Sequence, residues 1–271
     1  MSLAVILTFA IVAALEVAIP LALGYLLVRK FSLSWRIFLY GALFFILSQV
    51  IHIPLLVILQ PPYIAWVKTV FPDTALSLAA LALFLGLFAG LVEEGIRYLA
   101  FARFFPRKKI PPDREHGLLF GAGWGGLESI FVAFLVIQAM INYVLLTSGM
   151  LDALGINATL SDPAQQAALA ALAGITPADI LPGLLERMMT LVVQLAFTFL
   201  VLYSVVKARP AFLLAAIGWH ALVDFMAVYL AGMYGIWPAE AMVSASAAVG
   251  LGIIWWAWKV LGPPDIPAST P

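Results

Sequence analysis

The chain has 271 residues, of which 64% are hydrophobic and only 10% are charged, and its mean hydropathy is +1.08. This composition excludes a soluble globular protein and predicts a helical protein that crosses a membrane several times. Fourteen basic and fourteen acidic residues cancel, so no bulk charge recruits nucleic acid, and the absence of cysteine excludes disulfides and thiolate metal sites.

Apolar segments of about 20 residues or more, the length needed to cross a bilayer, recur along the whole chain. They lie near residues 3–28, 36–59, 74–104, 116–148, 182–206, 210–233 and 239–260. We therefore predict an all-α integral membrane bundle of about seven transmembrane helices. It forms a single domain over residues 1–261, followed by a disordered, proline-rich tail over residues 262–271.

Basic residues in the connecting segments predict the orientation. They cluster after the first, third and fifth spans, as Arg29, Lys30, Arg36, Arg103, Arg107, Lys108, Lys109, Arg114, Lys207 and Arg209. All of these fall on one side if the spans alternate, so the positive-inside rule predicts an external N-terminus and a cytoplasmic C-terminus. The loop at about residues 149–181 is then external, with a short helix from Asp162-Pro163 and a second helix start at Thr176.

The motif Glu93-Glu94-x-x-Arg97 lies inside the third apolar segment. An ionisable side chain near the middle of a membrane costs roughly 3 kcal/mol unless it is paired or hydrated. Either glutamate can meet Arg97 on the same helix, at a spacing of three or four residues. A structural ion pair needs one carboxylate, and the second glutamate therefore favours a functional site.

Other polar residues lie at a similar depth in separate spans. At a rise of 1.5 Å per residue, Glu93, Glu128 and His220 lie roughly 15–18 Å from the basic ends of their helices. His52 lies nearer the opposite side, and Asp224 follows His220 by one helical turn. Glycines at four-residue spacing before Glu93 and Glu128 favour close helix packing in lipid.

This layer is compatible with several functions. Buried carboxylates and a histidine can activate water by general acid–base catalysis, or a divalent ion such as Zn²⁺, held by His52, Glu128 and His220, can do so. The alternative is a proton- or cation-coupled transporter or channel that uses the same carboxylates. A third possibility is a non-catalytic membrane protein in which the charges are structural pairs.

Three ordered motifs resemble the CPBP/PrsW superfamily of intramembrane proteases, which includes CAAX-processing enzymes, and its YhfC branch in particular. The motifs are Ser48-Gln49-x-x-His52-x-Pro54, Glu93-Glu94-Gly95-x-Arg97-Tyr98, and the glycine-rich run from His116 to Glu128, and His220-x-x-x-Asp224 follows them. The resemblance implies a multi-pass cell-membrane hydrolase that cleaves a membrane-bound protein or peptide. The catalytic residues that it implies are Glu93, Glu94, Arg97, Glu128, His220 and Asp224.

In that resemblance, Glu93 or Glu94 is the general base, and His220 assists it or stabilises the oxyanion. Glu128 stands where CAAX-type enzymes carry histidine, and Asp224 stands where they usually carry asparagine. The resemblance leaves open whether a metal ion or a glutamate activates the water.

Overall fold

The computed structural model describes residues 1–153 and 163–262, and the regular structure of those residues is entirely helical. The helices are α1 Leu3–Phe31, α2 Trp35–Val70, α3 Thr74–Leu99, α4 Phe105–Arg107, α5 Arg114–Thr147, α6 Met150–Ala153, α7 Pro163–Ala173, α8 Pro177–Val206, α9 Pro210–Tyr234 and α10 Ile236–Val260. A π-helical turn, Ala100–Phe104, joins α3 to α4. Seven helical segments of the described chain are long and apolar enough to cross a membrane, which confirms the predicted fold class and the multi-pass membrane localisation.

The second span is longer than the sequence predicts. We expected it to end near residue 59, but α2 continues to Val70 through Pro54, Pro61 and Pro62. Proline breaks helices in water, whereas transmembrane helices tolerate it because neighbouring groups satisfy the freed carbonyls. The other span boundaries lie within a few residues of their expected positions.

Neighbouring helices approach closely where glycines face them. A Cβ atom on Gly41 of α2 would lie 1.9 Å from the carbonyl oxygen of Phe120, and one on Gly123 of α5 would lie 1.9 Å from that of Phe38. The two backbones are therefore in direct contact at this level. Gly90 of α3 packs in the same way on the backbone of Ile217 in α9.

An aromatic core fills the bundle near the C-terminal end of α3, next to the glycine contacts between α2 and α5. Phe101, Phe105 and Phe120 are fully buried and lie in mutual ring contact, with centroids 4.8–5.6 Å apart. Trp124 continues the cluster one turn along α5 and is also fully buried. This rigid core lies directly beside the polar layer and fixes the positions of α3 and α5.

The predicted external loop contains α6 and α7, and α8 begins after Thr176 as expected. The Asp179 carboxylate accepts hydrogen bonds from the backbone N–H of Thr176 at 2.9 Å and from its hydroxyl at 2.6 Å. The helix start at Asp162 and, apart from Gly262, the predicted tail over residues 262–271 lie outside the described residues. The membrane orientation and the domain limits stay predictions.

Candidate active site

The Glu94 side chain joins α3 to α9. It is fully buried, and Arg97 Nη1 donates to its two oxygens at 2.7 and 2.6 Å. His220 Nδ1 lies 2.7 Å from Glu94 Oε1, so this ring nitrogen carries the proton and donates it to the carboxylate. Of the two glutamates that could pair with Arg97, the structure therefore selects Glu94. The pair fixes the orientation of the imidazole.

From Arg97 the hydrogen-bond network crosses to α8 and α5. Arg97 Nη2 donates to Gln194 Oε1 at 2.5 Å, and its guanidinium stacks on Trp124 at 4.2 Å. Gln194 Nε2 in turn donates to Glu128 Oε2 at 2.7 Å. The Gln194 side chain thus links Arg97 on α3 to Glu128 on α5. Arg97 itself is buried and holds the Glu94 and Gln194 side chains in place.

Glu128 also accepts a hydrogen bond from Arg187 Nη1 at 3.2 Å, and Arg187 is paired with Glu186 on its own helix. Both oxygens of Glu128 are therefore occupied, one by an amide and one by a guanidinium. The Arg187 guanidinium therefore lies between two carboxylates, those of Glu128 and Glu186.

Glu93, next to Glu94, has a different environment. Gln49 Nε2 of α2 donates to Glu93 Oε1 at 3.0 Å. Its second oxygen, Oε2, is buried and has no hydrogen-bond partner among the described residues. Adjacent residues on a helix point about 100° apart, which explains why Glu94 faces α9 while Glu93 faces α2.

Four of the predicted acidic and histidine residues line one cavity of about 120 Å³, which has room for several water molecules. They are Glu93, Glu128, His220 and Asp224. Because Glu94 occupies Nδ1 of His220, the other ring nitrogen, Nε2, is left on the cavity side, 3.6 Å from Asp224 Oδ2. Phe197 stacks on the imidazole at 4.6 Å and holds its plane. The sequence-predicted layer therefore forms one polar cavity.

His52 is not part of the cavity lining. Its ring packs against Phe88 at 5.3 Å, and neither ring nitrogen has a partner among the described residues. In the described chain, no three His, Asp or Glu side chains lie in an arrangement that could hold a metal ion. Among the described residues, His52, Glu128 and His220 therefore do not form a three-ligand group.

Sequence reasoning missed two residues of this site. Gln194 is a lone amide in an otherwise apolar run, and Arg187 is a single basic residue next to Glu186 in the sequence. The signal for Gln194 was available, since an amide in the middle of a span needs a polar partner. Gln49 was noted from sequence, but its hydrogen bond to Glu93 was not anticipated.

Comparison with known proteins gives a family for most of the chain. A family model described as YhfC intramembrane metalloprotease matches residues 15–244. The chain is also 31% identical over 249 residues to the "Uncharacterized membrane protein YhfC" of Bacillus subtilis (strain 168), an alignment that covers 89% of this chain and 91% of that protein. No solved structure matches the chain significantly. The chain therefore belongs to the YhfC family and is a multi-pass membrane protein.

Proposed function

We propose that this protein is an intramembrane endopeptidase, a hydrolase that cleaves a peptide bond in a membrane-associated protein or peptide. The family description as an intramembrane metalloprotease supports the reaction class. The observation that carries the proposal is the buried Oε2 of Glu93, which has no hydrogen-bond partner among the described residues, beside the cavity that Glu93 and His220 line. An unpaired carboxylate oxygen beside water is suited to a general base.

The two glutamates have different roles in this proposal. Glu93 is the base, because Gln49 donates to one of its oxygens and the other has no partner in the described part of the chain. Glu94 is a positioning residue, because Arg97 and His220 occupy it and it contributes nothing to the cavity lining. His220 presents Nε2 to the reacting groups, as the carboxylate on Nδ1 fixes the ring.

The proton and bond changes balance without a further reactant. Glu93 accepts a proton from a cavity water, and the resulting hydroxide attacks the scissile carbonyl carbon. His220, when both ring nitrogens carry protons, donates a hydrogen bond from Nε2 to the developing oxyanion and keeps that proton. The C–N bond then breaks, and the amine takes the proton that Glu93 holds. The products are a carboxylic acid and an amine.

Metal assistance does not enter this scheme. Because the donors of the described residues do not assemble into a three-ligand site, no step is assigned to a metal ion. The roles of Glu128 and Asp224 are accordingly electrostatic. Glu128 orders Arg187 and Gln194 around the cavity, and Asp224 lies near the imidazole.

The test is hydrolysis by the purified protein in liposomes with a panel of single-span reporter proteins. Glu93→Gln removes the base with little change in shape, so we expect hydrolysis to fall by about 10²–10⁴-fold with unchanged thermal stability. Glu115→Gln is the matched control, since Glu115 lies in the first turn of α5 and outside the cavity. Full activity of Glu93→Gln would overturn the assignment. Proton flux into liposomes that is lost in the same variant would instead favour the transporter alternative.

A further inference from the structure

Two buried glutamates take no part in the proposed reaction. Glu16 of α1 is 0% exposed, and Glu240 of α10 is 2% exposed. Both carboxyl oxygens of Glu16 and the Oε2 atom of Glu240 are buried and have no hydrogen-bond partner among the described residues. Neither residue lines the polar cavity. The candidate active site therefore does not explain why two acids are buried at these positions.

Glu16 lies beside α5 and α8. Its backbone carbonyl oxygen accepts a hydrogen bond from Ser129 Oγ at 2.8 Å, and Ser129 directly follows Glu128 in α5. Its helix, α1, also packs against α8, and the charges of Arg187 and Glu186 on α8 act on the Glu16 carboxyl group. Glu16 is thus within electrostatic reach of Arg187, although its oxygens accept no hydrogen bond from any described residue.

Glu240 approaches the same arginine from another helix. It precedes Val243 by three residues in α10, so the two side chains share a helical face, and Val243 lines the polar cavity together with Arg187. The helix packs against α8 and α9, and the charges of Arg187 and Glu186 on α8 act on the Glu240 carboxyl group. Arg187 is therefore within electrostatic reach of buried acids on α1 and α10.

The charged groups of the other neighbouring helices have partners of their own. Glu128 of α5 accepts hydrogen bonds from Gln194 and Arg187. Asp224 of α9 lies 3.6 Å from Nε2 of His220. Arg187 is thus the cation that both buried acids share.

One guanidinium cannot neutralise four carboxylates. Arg187 already pairs with Glu128, at 3.2 Å, and with Glu186. Ionised Glu16 and Glu240 would add two negative charges at buried positions where their oxygens lack hydrogen bonds from the described chain. A buried ion in a membrane protein is strongly unfavourable unless it is paired or hydrogen-bonded, whereas a protonated carboxyl group is neutral. Charge balance therefore requires a proton on each of the two acids.

We propose that Glu16 and Glu240 form a proton-binding site that keeps Arg187 paired with Glu128. While both acids are protonated, they do not compete with Glu128 and Glu186 for the guanidinium. Loss of either proton to water creates a further carboxylate within reach of Arg187 and weakens its pair with Glu128. Because Arg187 and Glu128 both line the polar cavity, the two protons control the charges at its wall.

Infrared spectroscopy of the full chain in lipid nanodiscs detects these protons directly. The C=O stretch of a carboxylic acid is separate from the bands of a carboxylate, and it shifts in D₂O. Near neutral pH, Glu16→Gln and Glu240→Gln should each remove one carboxylic acid band from the spectrum. Glu186→Gln is the matched control and should remove none, because the Glu186 carboxylate is paired with Arg187.

Both variants should fold, because an amide and a protonated carboxyl group are neutral and nearly equal in size. Failure of Glu16→Gln or Glu240→Gln to fold would therefore overturn the proposal. Spectra that keep every carboxylic acid band in these two variants would also overturn it, because the native residues would then be ionised.

A second measurement follows the pair of Arg187 and Glu128 as the pH rises. Its coupling is obtained from the unfolding constants of Arg187→Gln, Glu128→Gln and the double variant. In the native background, the coupling should weaken by about threefold or more over the pH range in which the acid bands disappear. In a Glu16→Gln/Glu240→Gln background it should stay constant, since the amides have no proton to release. Equal weakening in both backgrounds, or acid bands that persist until the protein unfolds, would overturn the proposal.

The proton-binding site and the peptidase function can fail separately, because neither measurement requires hydrolysis. Loss of one acid band in each variant, together with no hydrolysis of any reporter, supports the proton-binding site and counts against the peptidase. Hydrolysis by a protein whose acid bands are unchanged by Glu16→Gln and Glu240→Gln supports the peptidase and overturns the proton-binding site.

Discussion

Replacing Gln194 with leucine should destabilise the helix bundle by about 1–3 kcal/mol. Gln194 accepts from Arg97 at 2.5 Å and donates to Glu128 at 2.7 Å, and both hydrogen bonds connect different helices. Interhelical hydrogen bonds in membranes average about 0.6 kcal/mol and reach about 1.7 kcal/mol. Both bonds here involve charged partners, so the upper part of that range applies.

The assay is reversible unfolding in mixed detergent and SDS micelles, followed by circular dichroism and tryptophan fluorescence. Ser204→Ala is the matched control on the same helix. Its buried hydroxyl donates to the Val201 carbonyl oxygen of α8 itself at 2.8 Å, a bond that the separated helix keeps. We therefore expect Ser204→Ala to change the unfolding free energy by less than about 0.5 kcal/mol, because the unfolded protein, whose helices are separated but intact, also has this hydrogen bond.

A double-mutant cycle makes the reasoning refutable. If the bridge is real, Gln194→Leu and Glu128→Leu together should cost less than the sum of the single changes, by about 0.6–1.7 kcal/mol. A strictly additive pair, or a Gln194→Leu variant no less stable than Ser204→Ala, would show that the amide does not connect α8 to α5. The hydrogen-bond network would then not extend from Arg97 to Glu128.

Three other predictions follow from the same structure. Gly41→Leu should cost about 1–3 kcal/mol or prevent folding, because a Cβ there meets a backbone oxygen, whereas Gly95→Ala meets nothing within 4 Å and should fold normally by size-exclusion chromatography. An impermeant maleimide should label Ser148→Cys on intact cells and Arg107→Cys only after permeabilisation, and the reverse pattern would contradict the predicted orientation. Hydrolysis should survive dialysis against a chelator, since the described donors do not form a three-ligand site, and loss of activity restored by Zn²⁺ would contradict that geometry.

The sequence was sufficient for the number of spans and the depth of the polar layer. Span length is a sum over about 20 side chains, so single errors matter little, and depth follows from the fixed helical rise. Proline misled the prediction at the end of α2, since its cost in a membrane depends on neighbouring helices that the local sequence does not contain. His220 and Glu128, which residue counting put at a similar depth, do line one cavity, because the helical rise per residue is constant.

The rotation of each helix about its own axis could not be predicted from the sequence. Gln49 and His52 are three residues apart, yet Gln49 reaches Glu93 while His52 packs on Phe88. Which way a helix faces depends on tertiary contacts such as the Gly41 and Gly90 approaches, which single-sequence periodicity does not encode. To predict whether His52, Glu128 and His220 meet, the rotation of their helices about their axes must be known, and their depth in the membrane is not enough.

The adjacency of Glu93 and Glu94 now has a physical reason. One glutamate could not pair with Arg97, orient His220 and also keep an oxygen without a partner. A carboxylate has only two oxygens, and in Glu94 both accept hydrogen bonds from Arg97 or His220. A neighbour on the same helix lies at the same depth but points about 100° away, so it reaches a second environment without a second helix. The pair thus provides one carboxylate that is fully hydrogen-bonded and one, lining the cavity, whose second oxygen has no partner among the residues that the structure describes. Two consecutive residues thus supply an ordered, charged scaffold and, beside it, the carboxylate that the proposed hydrolysis would use as its base.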